Sequence, residues 1–191
     1  MSEIEPMKKT FPWYQIALHA FLLVTTSMVV WLSLENNRLK TSMQPPEPLT
    51  AGTEVEPFPI ASLDGQESTL SYGDSEKDTL LLVFTSTCPA CNENQPNWRT
   101  IYEQNKDAYR IVGVGLEDAE TIAAYREAKD LPFDVVLPGD YPSFAQDYKL
   151  AGIPTTIQVD STGKVVEAWT GVLSPDTVSE LAESRVASLA D

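Results

Sequence analysis

The longest apolar stretch of the chain runs from Phe11 to Leu34, with no Asp, Glu, Lys or Arg inside it. A helix needs about 20 apolar residues to cross the hydrocarbon core of a bilayer, so this stretch predicts one membrane-spanning helix. Trp13 and Tyr14 stand at one end and Trp31 at the other, where amphipathic rings favour the headgroup zone. A cleaved leader would have an apolar core of about 7–15 residues followed by small residues at the cleavage position. Leu32-Ser33-Leu34-Glu35-Asn36 offers no such position, so the helix reads as an uncleaved anchor. Lys8 and Lys9 precede the run, and Arg38 and Lys40 follow it. That balance leaves orientation undecided by flanking charge. A short tail before a single span favours a cytoplasmic N-terminus, which puts the remainder outside.

Beyond the anchor the periodicity changes. Residues 39–57 carry Pro45, Pro46, Pro48 and Pro57 with little apolar pattern, as an extended spacer does. Pro59 continues the series into the first predicted strand. Strand and helix signals then alternate. Phe58–Leu63 and Glu67–Ser71 flank Asp64-Gly65, a hairpin signal. Thr79–Thr85 and Tyr109–Leu116 are continuous apolar runs, as strands buried on both faces should be. Cys91–Asn105 reads as a helix interrupted by Pro96, and Asp118–Lys129 as a second helix with an acidic first turn. Phe133–Leu137 predicts a short strand and Pro142–Tyr148 a short helix. Thr155–Val159 and Val165–Thr170 are strands around the turn Asp160-Ser161-Thr162-Gly163. Ser174-Pro175-Asp176 opens a last helix, with Ser174 as N-cap. The expected organisation is a tail and anchor over residues 1–38, a linker over 39–57, and one α/β domain over 58–191. That domain is a mixed sheet flanked by helices, with an N-terminal β-hairpin and an αβ insert.

Charge sharpens this division. The chain has 191 residues and a formal net charge of -15. Residues 1–48 hold four bases and four acids, so the whole imbalance lies in the domain, with nine bases and 24 acids. Such a surface repels phosphate backbones, which excludes nucleic acid as a partner. The acid runs, such as Glu117-Asp118-Ala119-Glu120, read as solvated faces. Two cysteines and one histidine are too few for a disulfide scaffold, and a zinc site needs about four ligands. His19, the one histidine, lies inside the apolar run. No metal and no cofactor are expected.

The two cysteines sit together. Cys88-Pro89-Ala90-Cys91 follows a buried strand and opens a helix. Unpaired N–H groups and the partial positive charge of a helix N-terminus stabilise a thiolate, which is the reactive form of the group. Cys88, at the very start, reads as the attacking thiol. Cys91, one turn on, reads as the resolving thiol. Pro89 fixes φ at the first helical turn. A purely structural disulfide is the competing reading, and a four-residue ring restrains little chain entropy.

A second element, Gly152-Ile153-Pro154-Thr155, precedes a strand. Taken alone, proline there is ordinary and its peptide bond trans by default. Together with strand–CxxC–helix and the following hairpin it resembles the thioredoxin superfamily. The hairpin, the insert at 117–150 and the anchor are similar to the TlpA/ResA-type branch of extracytoplasmic thiol-disulfide oxidoreductases. The resemblance covers residues 51–189. It implies that Pro154 is a cis-proline packed against the dithiol. It also implies that Ile153, Pro154 and Thr155 bind a substrate strand, that Pro96 is the kink proline of the active-site helix, and that Gly171 lies near the substrate groove.

The departures from the family are specific. Thr87 replaces the frequent Trp before the first cysteine. Asn94 stands where many members have Glu, and Leu82 where thioredoxins proper have a buried Asp. Both usual proton acceptors for the second thiol are missing. Glu93 is adjacent in sequence but points about 100° away from Asn94 on a helix. Trp98, Tyr102 and Tyr125 are expected to pack in the core.

The expected function is membrane-tethered disulfide exchange with protein thiols and disulfides, with a membrane redox donor as a further partner and the bilayer held through Phe11–Leu34. The expected location is a single-pass membrane protein with its C-terminal domain on the periplasmic or cell-surface side. Two alternatives stay open. Thr85-Ser86-Thr87-Cys88 matches the TxxC of peroxiredoxins, although Leu81 stands where their motif has Pro. A non-catalytic tethered module binding through its acidic surface is the other.

Overall fold

The computed structural model describes residues 13–42 and 49–183, with side chains described for 13–36 and 49–182. The chain divides into two units, Met1–Pro45 and Pro46–Asp191.

The described part of the first unit is one helix, α1 (Trp13–Ser42). Its Trp13–Asn36 portion has a mean hydropathy of 1.9 and none of it is buried by protein. Three polar side chains of this stretch bond to carbonyls of the helix itself. Thr26 donates its hydroxyl to the Leu22 carbonyl at 2.8 Å and Thr25 does so at 3.0 Å. His19 Nδ1 lies 2.6 Å from the Gln15 carbonyl oxygen, which can only accept, so Nδ1 carries the proton. The helix fits the expected span, whose first residues, Phe11 and Pro12, lie outside the described residues. It continues past residue 38, because Leu39 through Ser42 contain no helix breaker.

The second unit is built on a seven-stranded sheet. In chain order its elements are β1 (Phe58–Ser62), β2 (Glu67–Leu70), β3 (Thr79–Phe84), α2 (Pro89–Asn105), β4 (Arg110–Gly115), α3 (Ala119–Lys129), β5 (Asp134–Pro138), α4 (Tyr141–Asp147), β6 (Thr155–Val159), β7 (Val165–Thr170) and α5 (Pro175–Glu183). The strand order is β2-β1-β5-β4-β3-β6-β7. The central pairs β3–β4 and β4–β5 are parallel, and all the others are antiparallel. The predicted hairpin therefore extends the sheet through β5 and does not lie apart from it.

Alternation along β3 explains the layers. All six of its residues are buried, the signature of a central strand. Leu81 and Val83 face one core with Phe58, Phe144, Tyr148 and Ile157. Leu80, Leu82 and Phe84 face the other with Trp98, Ile101, Ile122, Tyr125 and Leu181. Side chains of α2, α3 and α5 thus pack on one face, and those of α4 on the opposite face. Trp98 and Tyr125 are buried as expected, while Tyr102 is half-buried against its cluster.

The expected linker over 39–57 needs correction at both ends. Its first residues are the end of α1. From Leu49 the chain already packs on the domain: Leu49 and Val55 are buried in its core. Gly52 N–H donates to the Val165 carbonyl and Val165 N–H to the Thr53 carbonyl, each at 2.8 Å. The reason is physical: two apolar side chains in a polar stretch can be buried, and prolines do not prevent it. Pro45, Pro46 and Pro48 lie outside the described residues, as do residues 184–191 at the end of the domain.

Candidate functional site

The site forms where β3 ends. Leu80–Phe84 anchor the strand in both cores, and the chain turns through Thr85–Thr87 into α2. Cys88 is the N-cap of that helix, with extended φ and ψ of -79° and 115°, and Pro89 begins the helix. Proline at this position loses nothing, since the first helical N–H groups have no partner within the helix. The Cys91 N–H points at Cys88 Sγ, 3.1 Å away. A helix N-terminus therefore aims a backbone donor at the first sulfur, as the residue order implied.

Cys88 and Cys91 are joined by a disulfide, with their Cα atoms 5.2 Å apart. Their exposures differ. Cys88 is half-buried, whereas Cys91 is completely buried. Of the pair, only Cys88 keeps exposed surface.

The second element meets the first across the fold. Ile153 O lies 3.8 Å from Cys88 Sγ. The Ile153–Pro154 peptide is cis, against the trans default for an isolated sequence and in agreement with the family resemblance. The Pro154 carbonyl accepts from Gly171 N–H at 2.7 Å, and Gly171 adopts φ 96°, a conformation favouring glycine. Thr155 is buried and spends its hydroxyl on the Gly152 carbonyl at 2.7 Å. So Ile153 presents backbone at the dithiol, while the Thr155 side chain is turned into its own loop. Pro96 lies inside α2, which continues on both sides of it.

Two contacts at this site have no signature in the sequence. Glu117, two residues beyond the end of β4, accepts the N–H of Ser86, itself two residues before Cys88, at 2.5 Å. Its place in an acidic run reads as solvated, and only the β3–β4 pairing brings it here. Asn92 donates its amide to the Cys88 carbonyl at 3.2 Å and accepts from the Tyr125 hydroxyl at 3.2 Å. Gln95 Nε2 donates to the same hydroxyl at 2.6 Å. Burial pushes the Tyr125 hydroxyl above its ordinary pKa, the Gln95 bond opposes this, and the Glu117 charge adds to it. A polar chain thus runs from α3 to the backbone of Cys88.

The positions that depart from the family are equally defined. Leu82 is fully buried core, and Glu93 is exposed. Asn94 is fully buried, and its Oδ1 accepts from Leu173 N–H and from Asn97 Nδ2, each at 3.0 Å. Among the described residues no group of His, Cys, Asp and Glu could hold a metal ion.

Comparison with known proteins agrees with this geometry. Residues 47–184 match the Redoxin family. The thiol:disulfide interchange protein DsbE of Haemophilus influenzae is 27% identical over 179 residues, 86% of this chain and 96% of the relative. Sporulation thiol-disulfide oxidoreductase A of Bacillus subtilis is 23% identical over 131 residues, 66% of this chain and 78% of the relative. Among solved structures, the thioredoxin domain of a Bacteroides vulgatus thiol-disulfide oxidoreductase superposes with a TM-score of 0.60 at 22% identity, covering 75% of this chain and 99% of that one. The chain belongs to the redoxin family, on the TlpA/ResA-type thiol-disulfide oxidoreductase branch of the thioredoxin superfamily.

Proposed function

We propose that the protein exchanges disulfides with protein substrates on the extracytoplasmic side of a membrane, with Cys88 as the attacking sulfur and Cys91 as the resolving one. The observation that carries this reading is the unequal exposure of the pair: Cys88 is reachable and Cys91 is not. In the oxidised protein a substrate thiolate attacks Cys88 Sγ. The intramolecular S–S bond breaks and its electron pair leaves on Cys91. A second substrate thiolate then releases Cys88 and completes oxidation of the substrate. In the reduced protein the Cys88 thiolate attacks a substrate disulfide, and Cys91 closes the pair again. Backbone at Ile153 and the buried ring of Pro154 form one wall for the incoming strand. Pro89 holds the start of α2, and Pro96 shapes its course.

The helix α1 serves as the tether in the lipid bilayer, and the chain before Leu49 as a spacer. Extracytoplasmic placement is supported by the need for dedicated dithiols where disulfides persist. A membrane redox donor would then renew the dithiol.

Two substitutions test the roles. Cys88→Ser should abolish exchange with a disulfide substrate. Cys91→Ser should accumulate a mixed disulfide between Cys88 and its substrate, visible on a non-reducing gel. Full activity in both variants would sink the proposal. Rapid consumption of hydrogen peroxide by Cys88 would replace it with a peroxidase.

A further inference from the structure

The buried amide of Asn94 is only half used. Its Oδ1 accepts two hydrogen bonds, from Leu173 N–H and Asn97 Nδ2. Its Nδ2 is buried and has no partner. The amide cannot be turned to exchange these roles. A backbone N–H can only donate, so the atom facing Leu173 must be oxygen. Asn97 is fixed in the same way, because its Nδ2 also donates to the Leu173 carbonyl at 3.2 Å. Two N–H bonds of Asn94 are therefore directed elsewhere inside the protein, and an orphaned buried donor costs free energy.

Cys91 is the group placed to use them. It lies three residues earlier on α2, and positions i and i+3 share one helix face with Cβ atoms about 5–6 Å apart. Both residues are fully buried. Leu173, which holds Asn94 Oδ1, packs in the same core cluster as Cys91. While the disulfide is closed, the Cys91 sulfur is neutral and turned to Cys88. Opening it puts a full negative charge on a buried sulfur, the situation in which a donor counts most.

We propose that Asn94 Nδ2–H donates a hydrogen bond to the Cys91 thiolate once the disulfide opens. The step balances without a base. A substrate thiolate forms a bond to Cys88 Sγ, the Cys88–Cys91 bond breaks, and the electron pair departs on Cys91. A carboxylate at this position could take a proton from the Cys91 thiol. Asn94 cannot, so it acts by holding the charged form. The orphaned donor of the oxidised state gains its partner in the reduced state, which favours reduction and raises the reduction potential. This inference rests on the reading of Cys91 as the resolving thiol.

The titratable groups around this end of α2 are few. Cys88 and Glu93 lie on the element itself, and Glu117 and Tyr125 come from the α3 side. Val172–Ser174 and Ile153–Thr155 contribute none. The test uses the full chain in detergent with Cys88→Ser, so that Cys91 titrates alone, followed by thiolate absorbance against pH. Adding Asn94→Leu should lower the thiolate fraction about tenfold at a pH below the midpoint, the weight of one charge-assisted hydrogen bond. Adding Asn97→Ala, which cuts a tie to Leu173 and leaves the Asn94 donor, should leave the titration unchanged. An equal shift in both variants means a structural role and overturns the proposal, as does no shift in Asn94→Leu. If Asn94→Leu does not fold, the unsubstituted chain still decides. Its Asn94 side-chain amide resonance should move on reduction, and an unmoved resonance overturns the proposal. Failure of Cys91→Ser to trap substrate would instead remove the underlying reading.

Discussion

The indole Nε1–H of Trp98 donates to Thr156 Oγ1 at 3.0 Å, and both side chains are completely buried. This bond ties the dithiol helix to the strand that follows Pro154. It fixes the distance between the two halves of the site from inside the core, out of reach of water. Thr156→Val keeps the shape and removes the acceptor. An indole N–H left unpaired in the core should cost about 1–3 kcal/mol, measured by urea unfolding. A variant as stable as the parent would show that the bond contributes nothing to the join.

The contact between Glu117 and Ser86 makes a separate prediction. Glu117 Oε2 holds the backbone of the loop that delivers Cys88, with no side chain of Ser86 involved. Glu117→Ala should release the Ser86 amide, raising its hydrogen exchange about tenfold or more, while amides of β3 stay protected. Retained protection at Ser86 would mean that the loop is held by α2 alone.

These two contacts separate what consecutive residues encode from what only the fold brings together. The buried strand, the CxxC at a helix start and the Ile153–Pro154 loop are local patterns, written in consecutive residues. The resemblance they support correctly implied the cis bond at Pro154, which residue preference alone does not. Glu117 was unreadable because its neighbours Asp118 and Glu120 make it look like one more solvated acid. Only strand pairing between β3 and β4 carries it to the loop before Cys88. Asn94 departs from the family pattern in the sequence itself, but its bond to Leu173 joins positions far apart in the chain. The burial of Leu49 and Val55 has no local signature for a related reason: a proline-rich stretch carries no period, so nothing marks these two apolar side chains as core.

A buried tyrosine pair gives a dependence on pH. Tyr148 donates its hydroxyl to the Glu56 carbonyl at 2.9 Å, so Tyr72, 2.5 Å from Tyr148 Oη, must donate to it. Burial raises the pKa of Tyr72 above its ordinary 10.0. Burial raises that of Tyr148 further, and the neighbouring Tyr72 adds to it. The neutral forms are favoured in the native state, so above the ordinary value the unfolded chain binds fewer protons than the folded one. Stability should therefore be level below about pH 10 and fall as pH rises beyond it. Replacing both residues by Phe should flatten that fall. Denaturant midpoints from pH 8 to 11 would show it, and parallel curves for parent and double variant would exclude it.

The last prediction concerns the close contact that seats α3. A Cβ built on Gly115 would come within 2.8 Å of Ile122 Cδ1 and Cγ1 and 2.9 Å of Cγ2. Ile122 is fully buried, so its side chain has no free volume to move into. Gly115→Ala should cost about 1–3 kcal/mol through overpacking. The consequence should reach the site, because Gly115 ends β4 just before Glu117, and α3 carries Tyr125 to Asn92. Helix displacement would loosen both contacts at once. Shortening the obstructing side chain tests that link: Ile122→Val in the Gly115→Ala background should restore part of the stability and also the protection of the Ser86 amide. Stability recovered without Ser86 protection would mean that the helix and the loop are held independently.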